Sequence, residues 1–240
     1  MSTQSPINKD EKIKINPKSA IGMILFSALI PLIPLLVSWD WNWLQAWVFF
    51  ILYTLSVITS RIVVLFIHPE LLVERAAAAD KENVKSWDKP LVFFMVFVFP
   101  SIGLLVAGLD RRFGWSTPPA VGWQWLAGVI LALSLMFSIW AMAENSYFSA
   151  YVRIQHERGH RVISSGPYRL VRHPGYAGGI VSNLALPILL GSLWAFIPSL
   201  ITIIFTVVRT SLEDRTLIQE LAGYAEYTRK THYRLFPGIW

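Results

Sequence analysis

Four long apolar runs, each bounded by polar or charged residues, constrain the fold of this chain more than any other feature. They cover residues 21–38, 43–67, 91–109 and 123–143. A helix of about 20 residues crosses a hydrocarbon core about 30 Å thick. Each run therefore predicts a membrane-spanning helix. Pro31 and Pro34 lie in the first run and predict a kink there, because membrane helices tolerate proline.

A fifth apolar stretch, residues 176–208, is too long for one ordinary span. Gly191 and Ser192 form a turn signal in its middle, so the stretch predicts a hairpin of two short helices. The expected fold class is all-α: a polytopic membrane helix bundle with four spans plus a C-terminal helical hairpin.

The placement of positive charge predicts the topology. Eighteen of the 21 Lys and Arg residues lie in the N-terminal tail, the loop after the second run, residues 144–175 and the tail after residue 208. Because basic loops stay in the cytoplasm, both termini are predicted to be cytoplasmic, in the cell membrane or the endoplasmic reticulum. An aromatic belt is predicted on the opposite side, formed by Trp39, Trp41, Trp43 and Trp115.

Composition excludes several function classes. The chain is 54% hydrophobic and 15% charged, against about 45–50% and about 25% in an average soluble domain, which argues against a water-soluble protein. The net charge of +6 fits basic cytoplasmic loops better than a nucleic-acid groove, so no nucleic-acid partner is expected. Without cysteine there is no disulfide, thiolate nucleophile or Cys-ligated metal site.

Residues 156–160 read H-E-x-x-H, the pattern of a zinc site on a helix. His156 and His160 would be the ligands and Glu157 the base of a membrane protease. Gly159 inside the motif and Pro167 shortly after it oppose a stable helix. The favoured interpretation is a solvated basic connection, and no metal site is predicted.

A second motif, G-P-Y-R-L-V-R-H-P-G-Y, covers residues 166–176, where the chain re-enters the apolar hairpin. Two X-Pro turns restrict its backbone. Arg172 offers a fork for a carboxylate and His173 a switchable donor. An interfacial anchor is the alternative interpretation. Gly175 and Gly179 predict close helix packing.

A third motif, R-T-S-L-E-D-R, covers residues 209–215 at the predicted end of the hairpin. Glu213 and Asp214 could hold an ammonium group or ribose hydroxyls, or could form a salt-bridged helix start on the surface. The loop residues Glu70, Glu74, Arg75 and 87–89 are taken as solvated. Arg61, a charge inside a predicted span, is a functional candidate or a snorkelling side chain.

The ordered set of motifs from residue 145 to 240 resembles the integral-membrane methyltransferases, which include isoprenylcysteine carboxyl methyltransferases and phospholipid methyltransferases. The elements that carry the resemblance are residues 158–176, R-x3-E-D-x2-L from Arg209 and G-Y-x2-Y from Gly223. H-P-E-L-L-x-E-R from His68, followed by Trp87 and Asp88, resembles the family more loosely. One departure is Asp214, where the family commonly has a second Glu.

The resemblance implies S-adenosylmethionine as cofactor, held in a cytosol-facing pocket. Together with the apolar runs, it predicts a cytoplasmic tail (residues 1–20), a four-helix membrane region (21–143) and a methyltransferase core (144–240). No removable signal peptide is expected, because the polar start has no apolar segment of its own and no small-residue cleavage site. Carried over position by position, it implies cofactor binding by Gly166, Pro167, Tyr168, Arg172, His173, Pro174, Tyr176, Glu213, Asp214, Tyr224 and Tyr227. The catalytic candidates are Arg172, Arg209 and Glu213.

The implied reaction is methyl transfer to a lipophilic acceptor, which is either a small molecule or a lipidated substrate. Membrane lipid is a further expected partner. A carboxylate acceptor, such as that of a prenylcysteine, needs no base and could be oriented by Arg172 or Arg209. An amine acceptor would need a proton acceptor, with Glu213 or Glu144 as candidates. The alternatives are an NADPH-dependent membrane sterol-type reductase and the zinc protease described above.

Overall fold

The computed structural model describes residues 29–77 and 83–240, and every regular element among them is helical. A 3₁₀ turn, Ile30–Leu32, precedes the first helix. The helices are α1 (Ile33–Ser38), α2 (Leu44–Ile67), α3 (Glu70–Ala77), α4 (Asp88–Phe113), α5 (Val121–Glu144), α6 (Pro174–Leu190), α7 (Phe196–Glu220) and α8 (Tyr224–Lys230). The all-α prediction is confirmed. The predicted tail of residues 1–20 and the first part of span one lie outside the described residues.

Within the described part of the chain, four helices are long and apolar enough to cross a membrane. Three of them, α2, α4 and α5, correspond to predicted spans two to four. The fourth is α7, the second half of the predicted hairpin. The shorter apolar helix α6 ends where expected, at Gly191, which takes a φ of +68°. The predicted split of the fifth stretch is therefore confirmed.

The prediction for the end of the hairpin is wrong. Helix α7 does not stop near residue 208 but runs to Glu220, so residues 209–215 lie inside a helix. The physical reason is in the sequence: after Pro198 no glycine or proline interrupts the chain until Gly223. The acidic pair Glu213 and Asp214 is therefore fixed on a rigid element.

The helix connections gather at the two ends of the bundle as the topology requires. At one end the turns at residues 39–43, 114–120 and 191–195 meet. Arg111 donates to Asp40 at 2.7 Å, and Ser192 donates to the buried carboxylate of Asp110 at 2.5 Å. Residues 144–173 and 221–240 lie at the other end. We refer to the two as the turn end and the site end.

Trp39, Trp41 and Trp115 are exposed at the turn end, as an aromatic belt requires, but Trp43 is not. Trp43 is only 2% exposed and belongs to the main apolar core with Leu35. Its predicted place in the belt is wrong, because the residue caps the start of α2 and turns into the bundle.

Helices α5 and α6 approach each other closely at Gly178. A Cβ atom there would lie 2.8 Å from the Ser134 carbonyl oxygen and would also strike the Ser138 hydroxyl. At Gly179 a Cβ would meet nothing within 4 Å. The close approach predicted for Gly179 therefore occurs one residue earlier, and the Ser134–Ser182 hydrogen bond of 2.8 Å lies beside it.

Replacing Gly178→Ala should lower the free energy of unfolding by about 1–3 kcal/mol, the usual cost of forcing extra atoms into a packed contact. Gly179→Ala is the matched control and should be neutral or slightly stabilising, because alanine is the better helix former. Thermal unfolding midpoints in detergent test the pair. Equal midpoints for the two variants would contradict the packing described here.

Candidate active site

A cavity opens at the site end. It is bounded by the first turn of α6, the C-terminal half of α7, α8 and the irregular segment 145–163. Its empty volume is about 920 Å³, which includes the open solvent at its mouth. The sequence-predicted residues that line it are Tyr168, Arg172, His173, Tyr176, Arg209, Glu213, Tyr224 and Tyr227.

Three other predicted residues shape the cavity without lining it. Gly166 has a φ of +52°, and a Cβ there would lie 2.8 Å from the Glu144 carboxylate, so the position favours glycine on two grounds. Pro167 and Pro174 are buried at the starts of the Gly166–Arg169 3₁₀ turn and of α6. The turns predicted on both sides of the second motif are present.

Asp214 is the centre of a buried charge cluster. Arg172 donates to both carboxylate oxygens through Nε and Nη2, each at 2.8 Å, and Arg234 donates at 2.8 Å. The Tyr224 hydroxyl donates at 3.0 Å, and His173 Nε2 lies 3.3 Å away. Asp214 is fully buried and does not line the cavity.

The same cluster ties the C-terminal tail to the second motif. The remaining nitrogen of Arg172, Nη1, donates to the carbonyls of Thr231 and His232. The backbone N–H groups of Arg172 and His173 donate to the carbonyls at positions 233 and 234. All three guanidinium nitrogens of Arg172 are thus used within the protein, which favours a positioning role for this residue.

Glu213, the residue that precedes Asp214 on α7, faces the cavity. It accepts a hydrogen bond of 2.5 Å from the Tyr176 hydroxyl. The ring of Tyr176 stacks with that of His173, with centroids 5.8 Å apart and planes 12° from parallel. A partly buried carboxylate beside aromatic rings is suited to a cationic group.

Arg209 lies one helical turn before Glu213 and also lines the cavity. Its guanidinium sits 5.3 Å from the ring centroid of Tyr176. Its Nε donates at 2.6 Å to Asp88, the first residue of α4. The cavity wall therefore carries a positive and a negative group on one face of one helix.

Three tyrosines complete the wall. The Tyr227 hydroxyl donates to the Tyr168 carbonyl at 2.6 Å, and Asn145 donates to the Tyr168 hydroxyl at 3.0 Å. Burial raises the pKa of Tyr227 to about 12 and lifts the pKa values of Tyr168 and Tyr224 further. These phenols remain uncharged at neutral pH.

Sequence reasoning missed the acids that lie under the cavity. The prediction that Asp88 and Glu74 are solvated is wrong, because they are only 0% and 4% exposed. Arg153, which is also buried, donates to Glu74 through Nε at 2.8 Å. The predicted solvated connection is confirmed for the segment that follows, where His156, Glu157 and Arg161 are exposed. The available signal was the position of Asp88, which follows Trp87 and lies three residues before the apolar run of residues 91–109.

The H-E-x-x-H segment does not have the geometry of a zinc site. Residues His156–Arg158 form one 3₁₀ turn, and Gly159 takes a φ of +60°. The His160 ring stacks on Tyr147 at 4.4 Å and its Nδ1 accepts from the backbone of Gln155. The helical spacing that would bring both imidazoles to one face is absent. Arg61 and Glu144 are not among the cavity-lining residues.

Residues 125–219, which contain Arg172, Arg209 and Glu213, match the family described as isoprenylcysteine carboxyl methyltransferase. This segment is similar to the isoprenylcysteine carboxyl methyltransferases, and the match covers less than half of the chain. The resemblance drawn from the motifs is confirmed, and with four helices able to span a bilayer the chain is a multi-pass membrane protein.

Two curated relatives, from Oryza sativa subsp. indica and subsp. japonica, are each named "Probable protein-S-isoprenylcysteine O-methyltransferase". Each is 33% identical over 93 residues, which is 35% of this chain and 46% of the relative. The chain therefore spans about half the length of the isoprenylcysteine methyltransferases that it matches.

Removing the charge of Asp214 and removing that of its neighbour Glu213 should have different effects on the free energy of unfolding. Asp214→Ala leaves Arg172 buried without its carboxylate and should cost about 3–5 kcal/mol of folding free energy. Glu213→Gln is the matched control and should change the unfolding midpoint little, because its carboxylate is partly exposed and holds no arginine among the contacts described. Unfolding midpoints in detergent decide between these outcomes; a midpoint for Asp214→Ala equal to wild type would refute the buried cluster.

Acid should destabilise the fold through His160. Burial and the neighbouring Arg158 and Arg153 lower the pKa of His160 from 6.5 to about 4. The unfolded chain then binds more protons between these pH values, so the free energy of unfolding decreases as the pH falls from 6.5 towards 4. His160→Gln should flatten this dependence, whereas His156→Gln, at an exposed position nearby, should preserve it. Midpoints measured across that pH range give the comparison.

Proposed function

We propose that this protein is a membrane methyltransferase that moves a methyl group from S-adenosylmethionine to the carboxylate of a prenylcysteine-type or similar lipid acceptor. The observation that carries the proposal is the cavity, where Arg209 and Glu213 stand one turn apart on α7 inside the segment matching the methyltransferase family. The relatives' printed names supply the acceptor class.

The residues of the cavity fit the proposed cofactor. A sulfonium is attracted by a carboxylate and by aromatic faces, and the cavity presents Glu213 with Tyr176 and His173. The uncharged rings of Tyr168, Tyr224 and Tyr227 offer surfaces for an aromatic base. When bound, S-adenosylmethionine supplies an electrophilic methyl group and a neutral thioether as leaving group.

In this proposal the chain aligns donor and acceptor and excludes water. Glu213, supported by the Tyr176 hydroxyl, holds the positive end of the donor. Arg209 orients the acceptor carboxylate. Transfer forms the bond between a carboxylate oxygen and the methyl carbon and breaks the methyl–sulfur bond, so no general base is required. Asp214 and Arg172 act as positioning residues, and Gly166, Pro167 and Pro174 frame the wall.

The proposal extends to topology and domain organisation. Residues 144–173 and 221–240 at the site end hold eight Lys and Arg residues, whereas Arg111 and Arg112 lie near the turn end. We therefore place the site end, and both termini, on the cytoplasmic side. Residues 144–240 form the methyltransferase core in this assignment, and residues 21–143 form the membrane region that gives a lipid access to it.

A titration of the purified protein tests the cofactor. S-adenosylmethionine should bind and NADPH should not, and Glu213→Gln and His173→Ala should each weaken binding at least about tenfold, since both remove a contact to the proposed sulfonium site. Glu226→Gln, at an exposed acid on α8, is the control and should bind as wild type does. Transfer of labelled methyl to farnesylcysteine should yield a base-labile methyl ester. Unchanged affinity in both site variants, or preferential binding of NADPH, would overturn the proposal.

A further inference from the structure

Asp88, at the start of α4, is a buried acid that the sequence analysis predicts to be solvated. Its side chain is 0% exposed, and it accepts from three donors. Arg209 donates through Nε at 2.6 Å and through Nη2 at 3.0 Å, and the backbone N–H of Val152 donates at 2.7 Å. Such a bidentate contact fixes the plane of a guanidinium as well as its position.

Two further contacts hold the same arrangement. Arg209 Nη2 also donates to the carbonyl of Ala150 at 2.9 Å, and Lys85 donates its backbone N–H to the Val152 carbonyl at 3.1 Å. Asp88 thereby joins the start of α4, the cavity wall at residues 150–152 and α7. None of these contacts uses Nη1 of Arg209, so the N–H groups of that nitrogen can donate to another acceptor.

We infer that Asp88 is a positioning residue for the acceptor: it orients the Arg209 guanidinium so that its remaining donors can hold a carboxylate. Asp88 does not line the cavity and so acts only through Arg209. The inference rests on the proposed function, in which Arg209 binds the acceptor. It predicts that loss of the Asp88 charge impairs acceptor binding and leaves the cofactor contacts at Glu213 and His173 intact.

The chain offers a matched control at the turn end. Asp40 accepts from Arg111 through Nε at 3.0 Å and Nη2 at 2.7 Å, both at one carboxylate oxygen, in an Asp–Arg ion pair at a partly exposed position. Asp40→Asn removes an Asp–Arg ion pair at the turn end, the end of the bundle opposite the cavity. It should leave acceptor kinetics, cofactor affinity and the unfolding midpoint close to wild type.

The experiment compares Asp88→Asn, Arg209→Gln, the double variant and Asp40→Asn in the full chain reconstituted in lipid nanodiscs. The readouts are KM and kcat for farnesylcysteine, Kd for S-adenosylmethionine and the unfolding midpoint. Asp88→Asn should raise the acceptor KM about tenfold to a hundredfold, the effect of a misplaced substrate-orienting group. Kd for S-adenosylmethionine should change much less than the acceptor KM, because Asp88 hydrogen-bonds to Arg209 and Val152 and not to Glu213 or His173.

The double variant separates positioning from stability. Asp88→Asn alone leaves a buried guanidinium without its charge partner and should lower the midpoint, whereas the neutral pair in the double variant should recover it. Acceptor KM in the double variant should remain as high as in Arg209→Gln alone. This comparison also decides the question if Asp88→Asn alone does not fold.

Three results would overturn the inference. The first is a wild-type acceptor KM in Asp88→Asn. The second is recovery of both the acceptor kinetics and the unfolding midpoint in the double variant. The third is an acceptor KM that is clearly higher in the double variant than in Arg209→Gln. Wild-type kinetics in Arg209→Gln would instead remove the acceptor role of Arg209 itself. That result refutes this part of the proposed function, so the two failures are distinguishable.

Discussion

The site depends on the pairing of two buried carboxylates with two arginines. Asp214 holds Arg172, and Asp88 holds Arg209, each through a bidentate contact. A buried charge is costly unless it is paired and hydrogen-bonded, so the elements that supply the partners must come together for the chain to fold. The first pair holds the C-terminal tail in place, and the second holds the start of α4. The cavity is bounded by the first turn of α6, α7, α8 and residues 145–163, and the two pairs tie these elements to the tail and to α4.

The sequence predicted the parts of the fold that follow from local rules. Apolar runs located the spans, Gly191 located the hairpin turn, and the X-Pro pairs located the turns before α6. These features depend on residues close together in the chain. The end of α7 was mispredicted because the shift from apolar to mixed composition after residue 208 was read as the end of a helix, although no residue there breaks one.

The candidate site was predictable to the extent that its residues lie in contiguous motifs. Tyr168, His173, Tyr176 and Glu213 were assigned to the cavity and line it. Asp88 and Glu74 were not, since a lone acid in a polar loop has no local pattern that distinguishes a buried partner from a solvated one. Their burial depends on arginines 79 and 121 residues later in the chain, and only the folded structure brings such distant residues into contact.

The arrangement of Arg209 and Glu213 on one uninterrupted helix has a consequence for specificity. Four residues of α-helix advance about 6 Å along the axis, and this spacing is insensitive to changes in the surrounding loops. The spacing of these two residues along the backbone is thus set by α7, while the facing wall at residues 145–163 contains only one short 3₁₀ turn. Under the proposed function, the shape of that wall therefore sets which acceptor fits, and the helix sets the separation of the two residues that bind donor and acceptor.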